Sequence, residues 1–161
     1  MKLRPYHPGN LSEVIRLFHD TVHSVNAKDY SQEQLDAWAP DTIDSSAWDH
    51  SLQEHFARIA ESDGHIVGFG NIDATGYLGM LFVHKDHQRQ GIACAITDAL
   101  EDYARGEGLP RITVHASLTA KPFFEARGYQ LICEQQVERR GVTLSNFVMI
   151  KTLAEQPKED T

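Results

Sequence analysis

FVHKDHQRQGIACAITDAL, Phe82 to Leu100, begins apolar, turns polar, and then becomes apolar at helical spacing, with one glycine at the junction. It reads as a strand, a glutamine-rich turn and a helix joined tightly. The first four N–H groups of a helix have no partner within it and carry a partial positive charge. A short loop that aims them at one point makes an anion site. Gly91 permits a close approach or a conformation closed to other residues, and Ala93 keeps the same surface small. The side chains of Gln88, Arg89 and Gln90 can add hydrogen bonds. The stretch is neither G-x-G-x-x-G nor a P-loop, so dinucleotide and triphosphate sites lose ground. An ordinary tight strand-to-helix turn is the plain alternative.

Outward from that junction, the chain alternates between the two periodicities. KLRPY is a first short strand. Asn10 is placed to cap the helix NLSEVIRLFHDTVHSV, where Leu11, Val14, Ile15, Phe18, Val22 and Val25 recur at helical spacing. SQEQLDAWAP is a short helix with a Ser31–Gln34 capping box, ended by Pro40. SSAWDHSLQEHF adds another turn or two. FARIAE and HIVGFGNIDA flank SDG as a hairpin. GYLGMLFVH is apolar enough for a central buried strand. The helix after Gly91 shows Ile92, Ile96, Leu100 and Tyr103 on one face. RITVHA, TAKPFFEARG, YQLICEQQVE and VTLSNFVMIK follow as strand, helix, strand and strand. The order β-α-α-β-β-β-α-β-α-β-β describes an α/β (α+β) fold, a mixed sheet with helices on both faces. Residues 1–153 are expected to form one domain and 154–161 a polar C-terminal tail.

The 161 residues are 41% hydrophobic, with 15 basic against 23 acidic side chains and a net charge of −8. That balance argues against nucleic acid as a partner. It favours a cationic small molecule or amine. No run approaches a membrane span, and the N-terminus has no apolar leader region. Cys94 and Cys133 form no C-x-x-C pair, so a reduced, cytoplasmic setting is expected. The nine histidines show no metal-ligand spacing beyond His19 and His23 at i, i+4, and no metal is expected.

Strand LFV, loop HQRQGIA and the helix behind it resemble the acyl-coenzyme A loop of the GNAT superfamily of N-acetyltransferases, Gln/Arg-x-x-Gly-x-Gly/Ala, at Gln88, Gly91 and Ala93. SLTAKPFFEARGY resembles that family's second cofactor motif, Asn-x-x-Ala-x-x-x-Tyr-x-x-x-Gly-Phe. In element order the resemblance spans about Leu3 to Lys151. TVHSVNAKDY, AWAP, DATGYL and QQVERRG are similar to a small YafP-like bacterial subgroup.

The resemblance implies a mostly antiparallel sheet and acetyl-coenzyme A as acetyl donor, without a metal. It implies a pyrophosphate held by Gln88, Arg89, Gln90, Gly91, Ile92, Ala93 and Cys94. The pantetheine arm would pair with Leu81, Phe82 and Val83, in a V between strands, with a backbone N–H near Leu81 facing the thioester carbonyl. Ser117, Phe123 and Phe124 fall in the second motif. There Ser117 replaces the usual Asn, and Phe124 replaces the Tyr that protonates the departing thiolate. Lys85, Arg89, Lys121 and Arg127 are available to neutralise phosphates. Tyr77 is expected to share a strand face with Gly79, Leu81 and Val83 and to act as acid or substrate contact. Asp73 is the candidate base, against a plain role in capping its turn. His115 has a suitable pKa but sits mid-strand, where a core histidine is the commoner outcome. The acceptor wall is expected from His23, Asn26, Tyr30 and Trp38. A homodimer through the last strands is one arrangement the resemblance implies. The implied activity is direct acetyl transfer to an amine in a ternary complex; the rival is a non-catalytic acyl-coenzyme A regulator.

Overall fold

The structure, a computed structural model, describes residues 1–153. The expected polar tail at 154–161 lies outside them. Seven strands form one sheet in the order β1-β2-β3-β4-β5-β7-β6. They are β1 (Lys2–Arg4), β2 (Phe56–Ser62), β3 (His65–Ile72), β4 (Tyr77–Val83), β5 (Arg111–Ser117), β6 (Gln130–Arg139) and β7 (Val142–Thr152). Only the β4–β5 pair is parallel; every other pair is antiparallel. The helices are α1 (Leu11–Ser24), α2 (Gln32–Trp38), α3 (Ser45–Glu54), α4 (Ile92–Gly106) and α5 (Lys121–Ala126). SSAWDHSLQE therefore makes a full third helix, started by Asp44, whose Oδ1 accepts from the Ala47 N–H at 3.1 Å. Among the described residues no helix is long and apolar enough to cross a membrane.

Two caps show how local chemistry sets these elements. Ser31 and Gln34 make both bonds of the expected capping box, at 3.2 and 2.9 Å. Asn10 does not cap α1. Pro8 starts a 3-10 turn over Pro8–Asn10, so Asn10 is already helical, and its Oδ1 accepts from the His7 N–H and from Arg4, both at 3.0 Å.

The two faces of the sheet carry two cores. Val14, Leu17, Phe18 and Val22 of α1 pack with Ile59, Phe69 and Leu144 on one face. Ile92, Ile96, Leu100 and Ala104 of α4 pack with Val83, Val114 and Met149 on the other. Gly68 and Gly70 of β3 let α4 sit close. A Cβ on Gly68 would stand 2.8 Å from Ile92, and one on Gly70 2.9 Å from Ile96. On the buried face of α4, Glu101 is 2% exposed and accepts from Arg127, Tyr129 and Lys151.

Candidate active site

The β4–β5 pairing is brief. It covers Tyr77↔Thr113 and Leu78↔Val114, after which the strands run on unpaired to Val83 and Ser117. They diverge into a cleft of about 920 Å³. His84 N–H bonds to Val67 O of β3, so strand alternation turns the N–H and C=O of Leu81 and Val83 toward the opening. The Val83 carbonyl is already taken, by the Thr21 hydroxyl (3.0 Å) and the Gln88 amide (2.7 Å). Gln88 thus ties the loop to the strand.

At the mouth of the cleft the loop enters α4 through Gly91, at φ +81°. A Cβ there would meet nothing within 4 Å, so the backbone angle, not crowding, calls for glycine. No side chain caps the helix, and its first turn holds no acidic residue. Among the described residues none accepts a hydrogen bond from the N–H groups of Ile92, Ala93 and Cys94. Arg89 and Gln90 are exposed beside them. Free N–H groups at an uncapped helix start suit an anion.

A register shift decides which residues meet. Asn71 pairs with Met80, but Ile72 pairs with Leu78, leaving one extra residue in β4. Leu78 packs with Leu81 and Val83 against the α4 core, whereas Met80 and Phe82 pack against the α1 core. Tyr77 therefore does not share a face with Leu81 and Val83, as plain alternation required. It turns to the α1 side and meets His115, with ring centroids 5.1 Å apart at 71°. His115 is exposed to the cleft rather than a core residue. Burial raises the Tyr77 pKa, with Arg139 opposing and Asp73 adding. Burial lowers the His115 pKa, and Arg139 lowers it further.

Other candidates are placed as follows. Asn26 is 6% exposed, Tyr30 and Trp38 lie beside it, and all three line the cleft. The Tyr30 hydroxyl donates to Ser145 O (2.8 Å) and accepts from Leu118 N–H (2.9 Å), bridging β7 to the end of β5. His23 is not in the cleft; its Nε2 bonds to Ala39 O at 2.7 Å and locks α1 to the end of α2. Asp73 is not there either. Its Oδ1 accepts from Thr75 N–H (2.9 Å), the Thr75 hydroxyl (2.6 Å) and Tyr77 N–H (3.0 Å) in the β3–β4 turn. Burial acts to raise its pKa, but these bonds outweigh it and the net shift is downward. Asp73→Ala is expected to cost about 1 kcal/mol of stability in denaturant titration and to leave turnover nearly unchanged.

Ser117 lines the cleft, and its Oγ accepts from Ala120 N–H at 3.0 Å. Phe124 is 2% exposed and packs on Tyr129, while Phe123 is half-buried. Arg127 is unavailable to phosphates, since it is bound to Asp98 and Glu101 at 2.7 and 3.0 Å. Lys121 pairs with Glu125 at 3.5 Å. The β6–β7 hairpin adds Val137, Arg139, Leu144, Ser145 and Asn146 to the wall. Sequence reasoning missed these residues. They carry no local motif; only the position of QQVERRG between two strands hinted at a hairpin.

Comparison with known proteins places this geometry. Residues 26–151 match the model of the acetyltransferase (GNAT) domain. An uncharacterized N-acetyltransferase, YafP of Escherichia coli K12, is 36% identical over 149 residues, which is 92% of this chain and 94% of that protein. A crystal structure of a GCN5-related N-acetyltransferase from Rhodopseudomonas palustris is 34% identical. It superposes with a TM-score of 0.91 over 94% of this chain and 95% of that one. The PaiA N-acetyltransferase of Thermoplasma acidophilum, solved with coenzyme A, shares the fold at 14% identity, with a TM-score of 0.78 over 94% and 98% of the two chains. With a domain match and full-length relatives added to the parted strands and open amides, the chain belongs to the GNAT family of acetyltransferases.

Proposed function

We propose that this protein moves acetyl from acetyl-coenzyme A to an amine by direct attack in a ternary complex. One observation carries the reading. The helix start with free N–H groups stands at the mouth of a cleft whose strand wall offers the N–H and C=O of Leu81 and the N–H of Val83. The thioester supplies an activated acyl group. Gly91 to Cys94 hold the pyrophosphate, Leu81 and Val83 pair with the pantetheine amides, and the Leu81 N–H is aimed to bear the charge developing on the acyl oxygen. Arg89, Gln90 and Phe123 flank the donor, with Phe82 behind the strand and Ser117 at the end of β5.

The acceptor's nitrogen attacks the acyl carbon; the C–N bond forms, the C–S bond breaks, and the nitrogen gives its proton to neutral His115. Tyr77 keeps its phenol proton at neutral pH and is a donor for the departing thiolate, the role Phe124 lacks. A simple thiol has a pKa of about 8.5, so this assistance is modest.

Isothermal titration with acetyl-coenzyme A tests the reading first. Micromolar binding followed by acceptor-dependent release of free thiol supports it. Binding without release under any acceptor supports the regulator instead. Ping-pong kinetics with an acetylated Cys94 would sink the ternary complex. His115→Ala is expected to lower kcat by roughly a hundredfold with coenzyme A affinity intact. Because burial and Arg139 hold the His115 pKa below 6.5, wild-type kcat should persist below pH 6.5 and fall as pH drops through that lowered value. A cytoplasmic setting belongs to the same proposal, supported by two exposed free cysteines, Cys94 and Cys133. So does a homodimer through edge strand β6, where Leu131 and Ile132 are 47% and 56% exposed.

A further inference from the structure

The cleft has the opposite electrostatic character to the molecule. The chain carries 23 acidic side chains, yet among the described residues no Asp or Glu lines the cleft, and the charged lining residues are Lys28, Arg89 and Arg139. Arg89 belongs to the anion loop. Arg139 sits elsewhere. It shares the alternation of β6 with Val137, which packs on the α1 core, and so it stands on the face opposite α4. Tyr77, His115 and Asn146 occupy that same face by the same alternation. Val114 and Ala116 flank His115 and point to the α4 core, as do Phe147 and Met149 beyond Asn146. Donor phosphates and Arg139 are thus on different sides of the sheet.

Two groups on the α1 side have unmet bonding capacity. Arg4, Arg105 and Arg127 each pair with a carboxylate. Arg139 pairs with none among the described residues, and its one hydrogen bond is to the carbonyl of Glu138 at 3.2 Å. Asn146 Oδ1 is buried with no hydrogen-bond partner among the described residues. A buried polar atom is ordinarily paired, so Asn146 Oδ1, with the guanidinium of Arg139 free of a carboxylate on the same wall, calls for a polar occupant.

From this, and resting on the acetyl-transfer reading, we infer that the acceptor is a small amine that also bears a carboxylate, in the manner of an amino acid, and that Arg139 is the specificity residue that binds it. A guanidinium presents two parallel N–H donors that match the two oxygens of a carboxylate. Asn146 Oδ1 takes an N–H of the occupant. A polycationic acceptor would set further positive charge against Arg139 and Lys28 in a lining without a carboxylate to receive it. The net charge of −8 favoured a cationic small molecule or amine; the lining keeps the amine and adds a carboxylate to it.

The test is equilibrium binding to protein saturated with coenzyme A. The probes are N-acetyl amino acids with varied side chains, each beside its uncharged N-methylamide. The acids are expected to bind roughly ten- to a hundredfold tighter than the amides. Arg139→Leu should bring each pair together while coenzyme A affinity and Tm hold, since Arg139 is exposed and outside the core. Equal affinity within pairs, no binding by any acid, or a preference that survives Arg139→Leu overturns the inference and leaves acetyl transfer standing. Failure of coenzyme A itself to bind, seen in the first titration, overturns both.

Discussion

Gly91→Asp is expected to reduce coenzyme A binding by at least a hundredfold while the protein stays folded. Gly91 precedes α4 at φ +81°, and the space around its missing Cβ is open, so a side chain fits but the backbone angle becomes strained. Such strain costs about 1–3 kcal/mol, toward the low end for Asp, which tolerates this region better than most residues. An aspartate at this position is also a helix cap. Its carboxylate can accept from the N–H groups of Ala93 or Cys94, recovering much of that cost. The same capture takes the donors from the pyrophosphate and adds a negative charge where another must sit. Stability and affinity therefore separate, with Tm shifted little and binding lost. Gly91→Ala isolates the backbone contribution; it should weaken binding about fivefold, the equivalent of roughly 1 kcal/mol. Calorimetry with coenzyme A on both variants, beside thermal melts, decides the matter. Wild-type affinity in the aspartate variant would mean that these amides do not hold the anion.

The second large effect is on stability. Glu101→Ala should cost about 3–5 kcal/mol, a large part of the 5–15 kcal/mol typical of a domain. Glu101 is on the buried face of α4 and accepts from Lys151 at 3.0 Å, Arg127 at 3.0 Å and the Tyr129 hydroxyl at 2.9 Å. Removing it leaves Lys151 without its carboxylate and Arg127 with only the exposed Asp98. The network joins α4 to the α5–β6 turn and to β7, so its loss loosens the wall behind the cofactor loop. Burial acts to raise the Glu101 pKa, but the bonds from Lys151, Arg127 and Tyr129 prevail and hold it below 4.5. A carboxylate lowered in the folded state binds its proton less readily there than in the unfolded chain. Its stabilisation is complete above about pH 4.5 and is lost as pH falls through the depressed value. Urea titrations from pH 7 down to pH 3 should show wild type losing more stability than Glu101→Gln. Parallel losses would remove Glu101 from the account.

Local pattern was sufficient for most elements. Val14, Phe18 and Val22 lie on one side of α1, and Ile92, Ile96 and Leu100 on one side of α4, because helical periodicity follows directly from spacing. The Ser31–Gln34 box is complete within four residues. The Gly91 junction was legible because its φ of +81° and uncapped helix start are properties of its own backbone. SSAWDHSLQE was underread because its apolar pattern is weak; packing of Leu52 and Trp48 on the α1 core carries it.

Asp73, His23 and Arg127 read as site candidates because their chemistry suits the reaction. In the fold their bonding is spent on Thr75 and Tyr77, on Ala39 and on Glu101 respectively. By itself, then, the sequence determined the strands, the helices and the tight Gly91 junction, since those depend on interactions reaching about four residues. The tertiary structure alone decided the far wall of the cleft. Tyr77, His115, Arg139 and Asn146 are brought together by strand order, by one extra residue in β4 and by the β5–β7 register that sets Ser117 opposite Asn146. A shift of one residue in any of those pairings would turn the affected side chains to the opposite face, and no local pattern records which register the sheet adopts.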